Sequence, residues 1–273
     1  TAQNVDLCLD AVRRGKHVVS VKPFAMSLAD ADRLMGPVQD AGVLFMSFDS
    51  IYRLSPQGQQ YKQWITEGRI GTPLSATIIQ RTSLRGASMD WPGRPAEYTW
   101  WRDPSKVPGG GWIDHSIYQL DLFRWLLDDE VVRATGVAKT LAHPELPKEL
   151  EDFGVGLFEF GKGAVVTIEV TWTAPPSGGL SQTQVVGTEG QIVFDPTLTG
   201  KLAVSGKFDG PAGGGWTTFA PPARRGGGGP VEHLIDCLEN RKPPVATIAD
   251  SRATLAACLA FYESARSGRA VTL

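Results

Sequence analysis

The sequence predicts an α/β protein in two parts: a short parallel sheet with crossover helices over residues 1–49, and an α+β unit with a mostly antiparallel sheet over residues 50–273. Three observations carry this. Helical and extended apolar patterns alternate over residues 3–46, short strand-like runs dominate residues 131–220, and helical periodicity returns after residue 230.

Residues 3–14 place Val5, Leu7, Leu9 and Val12 at helical spacing and end at Gly15, a normal stop. The run His17-Val18-Val19-Ser20-Val21 reads as a short buried strand. Ser27-Leu28-Ala29-Asp30 then sets a Ser cap with an acid three residues on, opening a helix to about Asp40. Gly42 ends it before the strand Val43–Met46. A second unit begins with a helix from Ser55-Pro56 to Glu67 and a strand over 74–80. Residues 84–108 are rich in Trp, Pro and Arg and too irregular for a core element; such a loop is functional or disordered. A helix is expected over 114–127. Strands follow over 131–140, 153–160, 164–172, 182–187, 191–194 and 199–204, with helices near 230–240 and 250–266. Short turns between consecutive strands favour antiparallel pairing.

A formal charge of −2 leaves no basic field for nucleic acid or anionic lipid. No apolar run approaches the roughly 18 to 20 residues of a membrane helix. Cys8, Cys237 and Cys258 are odd in number and widely spaced, which suggests buried fillers in a reducing compartment rather than disulfides. His143 and His233 read as surface residues, and no His/Asp/Glu cluster has metal-ligand spacing. A soluble, cytoplasmic protein is expected. The chain begins at Thr1 without a signal-peptide pattern, as if cut, processed or partly represented.

The most informative segment is Gly109-Gly110-Gly111-Trp112-Ile113-Asp114-His115-Ser116-Ile117-Tyr118-Gln119-Leu120-Asp121. Asp114, Tyr118 and Asp121 stand at i, i+4 and i+7 and share one helical face, while Ile117, Leu120 and Phe123 can anchor another. A carboxylate and a phenol behind a glycine turn can hold a hydroxyl-bearing ligand; spacing alone equally allows Asp114 as a cap and Tyr118 as packing. Lys22, at the carboxyl end of a parallel strand, lies where open α/β sheets bind ligands, and Pro23 restricts it to an extended backbone. The dinucleotide fingerprint G-x-G-x-x-G is absent. Gly109–Gly111, Gly213–Gly215 and Gly226–Gly229 do not supply it, and the last two read as flexible loops.

These residues resemble a family. Gly15-Lys16-His17-Val18-Val19-Ser20-Val21-Lys22-Pro23-Phe24 looks like the G-K-H-V…E-K-P segment of the glucose–fructose oxidoreductase and inositol dehydrogenase (Gfo/Idh/MocA) family, and Asp114-x-x-x-Tyr118-x-x-Asp121 is similar to its D-x-x-x-H-x-x-D signature. Glu67–Pro73, Trp101-Arg102-Asp103-Pro104 and Tyr262–Gly268 follow in family order. The resemblance implies a partial Rossmann-like sheet whose first half is missing, then a large open antiparallel sheet used for homo-oligomerisation as a dimer or tetramer. It implies hydride exchange between NAD or NADP and a sugar, polyol or related carbohydrate-like hydroxyl compound. By that resemblance Lys22, Asp114 and Tyr118 are expected to be catalytic, and Lys22, Pro23, Trp101 and Arg102 to face the cofactor. Arg53, Asp114, His115 and Tyr118 are expected to face the substrate. Val21 departs from the motif's glutamate and Tyr118 from its histidine. His115 lies about 100° around the helix from Asp114 and cannot simply replace that histidine.

Oxidising an alcohol requires removal of its O–H proton. A phenol of pKa about 10 is a poor base, and a nearby ammonium would lower that value, so Lys22 beside Tyr118 is the expected working pair, with Asp114 orienting a neighbouring hydroxyl. Two other readings compete: a non-catalytic binding or assembly module without the nucleotide half, and a redox-assisted glycosidase or lyase. A Ser/His/Asp hydrolase is disfavoured because no Gly-x-Ser-x-Gly elbow occurs.

Overall fold

A computed structural model describes residues 2–84, 100–208, 215–220 and 229–273. The Trp/Pro/Arg-rich stretch over 85–99 and most of the two later glycine runs lie outside the described residues.

The chain opens with α1 (Asn4–Arg13), β1 (Val18–Ser20), α2 (Leu28–Asp40) and β2 (Phe45–Ser47). The strands pair in parallel with Val18 opposite Phe45 and Ser20 opposite Ser47. Ser27 caps α2 by accepting the Asp30 amide at 3.1 Å. Both helices bury their apolar stripes, Val5, Leu9 and Val12 on one and Ala31, Leu34 and Val38 on the other, in a cluster with Phe24 and Phe45.

A 3₁₀ turn (Phe48–Ser50) and α3 (Ile51–Leu54) lead into α4 (Pro56–Thr66), where Ser55 accepts the Gly58 amide at 3.0 Å and Pro56 takes the first turn. Then come β3 (Pro73–Arg81), a 3₁₀ turn (Trp100–Arg102), α5 (Gly111–Leu127), β4 (Val131–Lys139), β5 (Phe153–Phe160) and β6 (Val165–Thr171). Next are β7 (Leu180–Gly187), β8 (Gln191–Asp195), β9 (Lys201–Ser205), β10 (Thr217–Phe219), α6 (Pro230–Glu239), α7 (Ile248–Ser267) and β11 (Val271–Thr272).

The second sheet runs β10-β9-β8-β7-β3-β6-β5-β4-β11. β3 inserts between β6 and β7, parallel to β6 from Ser75 opposite Val165 to Arg81 opposite Thr171 and antiparallel to β7. Helices α5 and α7 cover one face, burying Ile117, Leu120, Phe123 and Phe261 against Phe158, Val166 and Ile168. On the opposite face Val137 and Leu157 stay exposed. No helix among the described residues is long and apolar enough to cross a membrane.

Two readings need correction. Helix α5 begins at Gly111, a full turn before the expected start at Asp114, because its cap comes from a distant carboxylate and not from the local sequence. His233 is no plain surface residue: its Nε2 accepts the Val245 amide at 2.9 Å and fixes the turn between α6 and α7. All three cysteines are free and buried.

Candidate functional site

Lys22 lies two residues past the end of β1, and its peptide bond to Pro23 is cis. Its side chain crosses to the first turns of α5, 92 residues away, where Nζ donates to Asp114 Oδ1 at 2.7 Å and to the Asp114 carbonyl. The turn after β1 and the start of α5 are thereby bridged by an ion pair. Asp114 Oδ2 also accepts the Trp172 indole N–H at 3.4 Å. His115 Nδ1 lies 3.2 Å from the same oxygen, but its N–H is not aimed at it and has no other partner among the described residues. Burial pushes the Asp114 carboxyl up, yet the His115 contact and the Lys22 ammonium outweigh it and hold the acid well below the usual carboxylate range.

Tyr118 lies one turn further along α5. Its ring sits 5.0 Å beneath Lys22 Nζ and 5.2 Å from the Tyr52 ring. Burial, then the negative charges of Asp114 and Asp49, push the phenol above its ordinary value. This reverses the expected ammonium effect. The Lys22 ammonium is hydrogen-bonded to Asp114 and stands over the ring face, and burial of the phenol is the largest cause of the rise. The upward shift favours the protonated phenol.

Arg53 is not brought to this cluster. Its guanidinium grips Asp121 through Nε and Nη2, both at 2.7 Å, and also donates to Asp250 at 3.1 Å and the Val245 carbonyl at 3.1 Å. Buried and with almost all its donors used, it is a strut between α3, α5 and α7. Asp121 therefore shares a helical face with Asp114 but serves the core. Asp49, just past β2, is fully buried; Oδ1 accepts from Ser251 at 3.1 Å while Oδ2 has no partner among the described residues. Burial, then the Asp121 charge, raises its carboxyl above the ordinary range.

Trp101 and Arg102 do approach the cluster. Trp101 packs edge-on against Trp172 at 5.2 Å, and the Arg102 guanidinium lies 4.7 Å over the Trp101 ring. Arg102 Nε is buried with no partner among the described residues. Pro23 accepts Asn4 Nδ2 at 3.2 Å, tying the Lys22 turn to α1. Sequence reasoning missed Trp172, which lies just past β6 and had no local motif to single it out. It also missed Glu151, the carboxylate at the start of α5. Among the described residues no group of three or more His, Cys, Asp or Glu could hold a metal.

Residues 59–193 match the model of the GFO/IDH/MocA C-terminal domain. The chain is 27% identical to scyllo-inositol 2-dehydrogenase (NAD(+)) of Bacillus subtilis, over all of this chain and 75% of that protein. The chain belongs to the Gfo/Idh/MocA family. Levoglucosan dehydrogenase of Pseudarthrobacter phenanthrenivorans, another relative, is 26% identical over 74% of this chain and 55% of its own length. This chain thus spans between about half and three quarters of the relatives it matches. An oxidoreductase domain protein from Kribbella flavida superposes with a TM-score of 0.83 at 21% identity, covering 99% of this chain and 77% of that one, so the two share a fold across this whole chain.

Proposed function

We propose that this chain carries the substrate side of an NAD(P)-dependent oxidoreductase acting on a CH–OH group of a sugar, cyclitol or related polyol. The observation that carries the reading is the Lys22–Asp114 pair, which sits at the carboxyl end of a parallel strand with Tyr118 beneath it. Relatives named for inositol and levoglucosan oxidation support the same substrate class.

The residues fit the nicotinamide end of such a cofactor. Lys22, Pro23, Trp101 and Arg102 would hold it, and Arg102 Nε, buried with no partner among the described residues, is a donor beside the aromatic wall. These 273 residues contain no G-x-G-x-x-G phosphate loop. When bound, a nicotinamide removes or supplies a hydride at the substrate carbon. Lys22 Nζ binds the reacting oxygen, and Asp114, held ionised, accepts from a neighbouring hydroxyl and fixes the ring's orientation. Tyr118 holds the transferable proton at Oη: it gives it to the oxygen when a carbonyl is reduced and recovers it when an alcohol is oxidised. The raised phenol suits the first direction at neutral pH and makes the second faster in alkali. The uncovered face of the large sheet, with Val137, Val155 and Leu157, is the proposed contact with a second copy; light scattering that found only monomer would remove that part.

The test is incubation with NAD⁺ or NADP⁺ and a panel of inositols, anhydro-sugars and aldoses, with reduced cofactor and ketone product both measured. Stoichiometric ketone with at least one cyclic polyol is expected. No product across the panel, together with no nicotinamide binding by calorimetry, would overturn the reading and favour a non-catalytic module.

A further inference from the structure

The residue that aims Asp114 lies in neither motif of the site. Helix α5 starts on Gly110, which has no side chain to cap it. The first amides of a helix need acceptors, and here one distant residue supplies three. The Glu151 carbonyl takes the Gly111 amide at 2.7 Å. Its carboxylate takes the Gly110 amide at 3.0 Å and the Trp112 amide at 2.8 Å. Tyr262 of α7 donates its hydroxyl to the same carboxylate at 2.8 Å. An anion at a helix N-terminus also meets the positive end of the helix dipole.

The glycines are explained by this clamp. A Cβ on Gly109 would stand 2.0 Å from the Tyr262 hydroxyl, and one on Gly110 would stand 2.3 Å from the Glu151 carbonyl. Only bare backbone lets the two clamp residues close on the turn. The next residue, Asp152, is fully buried and repeats the device on the other side of the site. Its carboxylate takes the Leu141, Ala142 and His143 amides, each at 2.8 Å, and its carbonyl takes the Trp172 amide at 2.7 Å. Trp172 in turn donates its indole N–H to Asp114. One dipeptide therefore sets both the helix that carries Asp114 and the strand end that binds its second oxygen.

We infer that Glu151, seconded by Tyr262, is a positioning residue for the Lys22–Asp114 site, holding the Asp114 carboxylate in register between Lys22 and Trp172. The effect on turnover rests on the function proposed above; the effect on geometry does not. Glu151→Gln keeps shape and one acceptor but places an amide N–H against a backbone N–H, and Tyr262→Phe removes a single donor to the clamp. In the full chain, Glu151→Gln is expected to move the Trp172 indole N–H resonance and to raise the Asp114 carboxyl toward its ordinary value in an NMR titration. With active protein, kcat should fall about tenfold to a hundredfold with KM changed much less, the pattern of a misaimed group. Tyr262→Phe should shift the same indole signal in the same direction by less, and it decides the matter if Glu151→Gln fails to fold. A folded variant whose Trp172 signal and Asp114 titration match the wild type would overturn the inference. If the wild type turns over no polyol, the proposed function falls, while the NMR measurements still decide the positioning role.

Discussion

Two ion pairs reach α5 from the N-terminal segment, seven residues apart on one helical face, and they differ in what surrounds them. Lys22 and Asp114 keep 16% and 29% of their side chains exposed, whereas Arg53 and Asp121 keep 4% and 0%. The second pair has almost all its hydrogen-bonding groups taken, with Asp250, Thr254 and the Val245 carbonyl as the further partners. The first leaves an open edge, an unpartnered His115 nitrogen and a phenol beside it. Chemically similar pairs on one helix thus differ in setting: the sealed one holds elements together, and the half-open one is where we propose that a ligand exchanges for the present partners.

The sharpest way to break this comparison is to remove one cation from each pair. Arg53→Met strands Asp121 in the core and should cost about 3–5 kcal/mol in urea unfolding. Lys22→Met should cost about 1 kcal/mol or less, because Asp114 can take water. Equal losses would erase the distinction.

Tyr118 gives the next largest effect. Tyr118→Phe should lower turnover about a hundredfold while leaving stability nearly unchanged. In the wild type, alcohol oxidation should climb with pH through the alkaline range, because burial and two carboxylates raise the phenol. A flat oxidation profile between neutral and alkaline pH would remove Tyr118 from proton transfer.

The smallest effect concerns acid. Asp114 is depressed in the folded chain, so its contribution is present above the unfolded value of about 3.9 and is lost as pH falls through the lower folded value. The unfolding free energies of wild type and Asp114→Asn should differ by about 1 kcal/mol at neutral pH and converge in strong acid. Divergence on acidification would mean the carboxylate is not the stabilised form.

Much of this contrast was out of reach of the sequence, for physical reasons. Helices α2 and α4 were legible because Ser27 and Ser55 cap them locally, and the strands because their alternation is local too. The start of α5 was misread because Glu151, some 40 positions away in sequence, supplies the acceptors. The insertion of β3 beside β6 pairs residues that no periodicity relates. Lys22 and Asp114 were named through family resemblance and strand-end position; their contact spans 92 residues, beyond any spacing argument. The sign of the Tyr118 shift failed because it is set first by burial and then by Asp114 and Asp49, none of which the spacing of Lys22 and Tyr118 reveals. Arg53 looked like a ligand contact because a sequence cannot show which acids a guanidinium will meet.

The central claim is that the half-open pair is where substrate binds and reacts. It is tested most directly by nicotinamide-coupled turnover of the best cyclic polyol by wild type and Lys22→Met, with unfolding measured on the same samples. The account predicts a loss of at least about a hundredfold in kcat/KM with stability within about 1 kcal/mol of wild type. Turnover within about twofold of wild type in a folded Lys22→Met protein would contradict it.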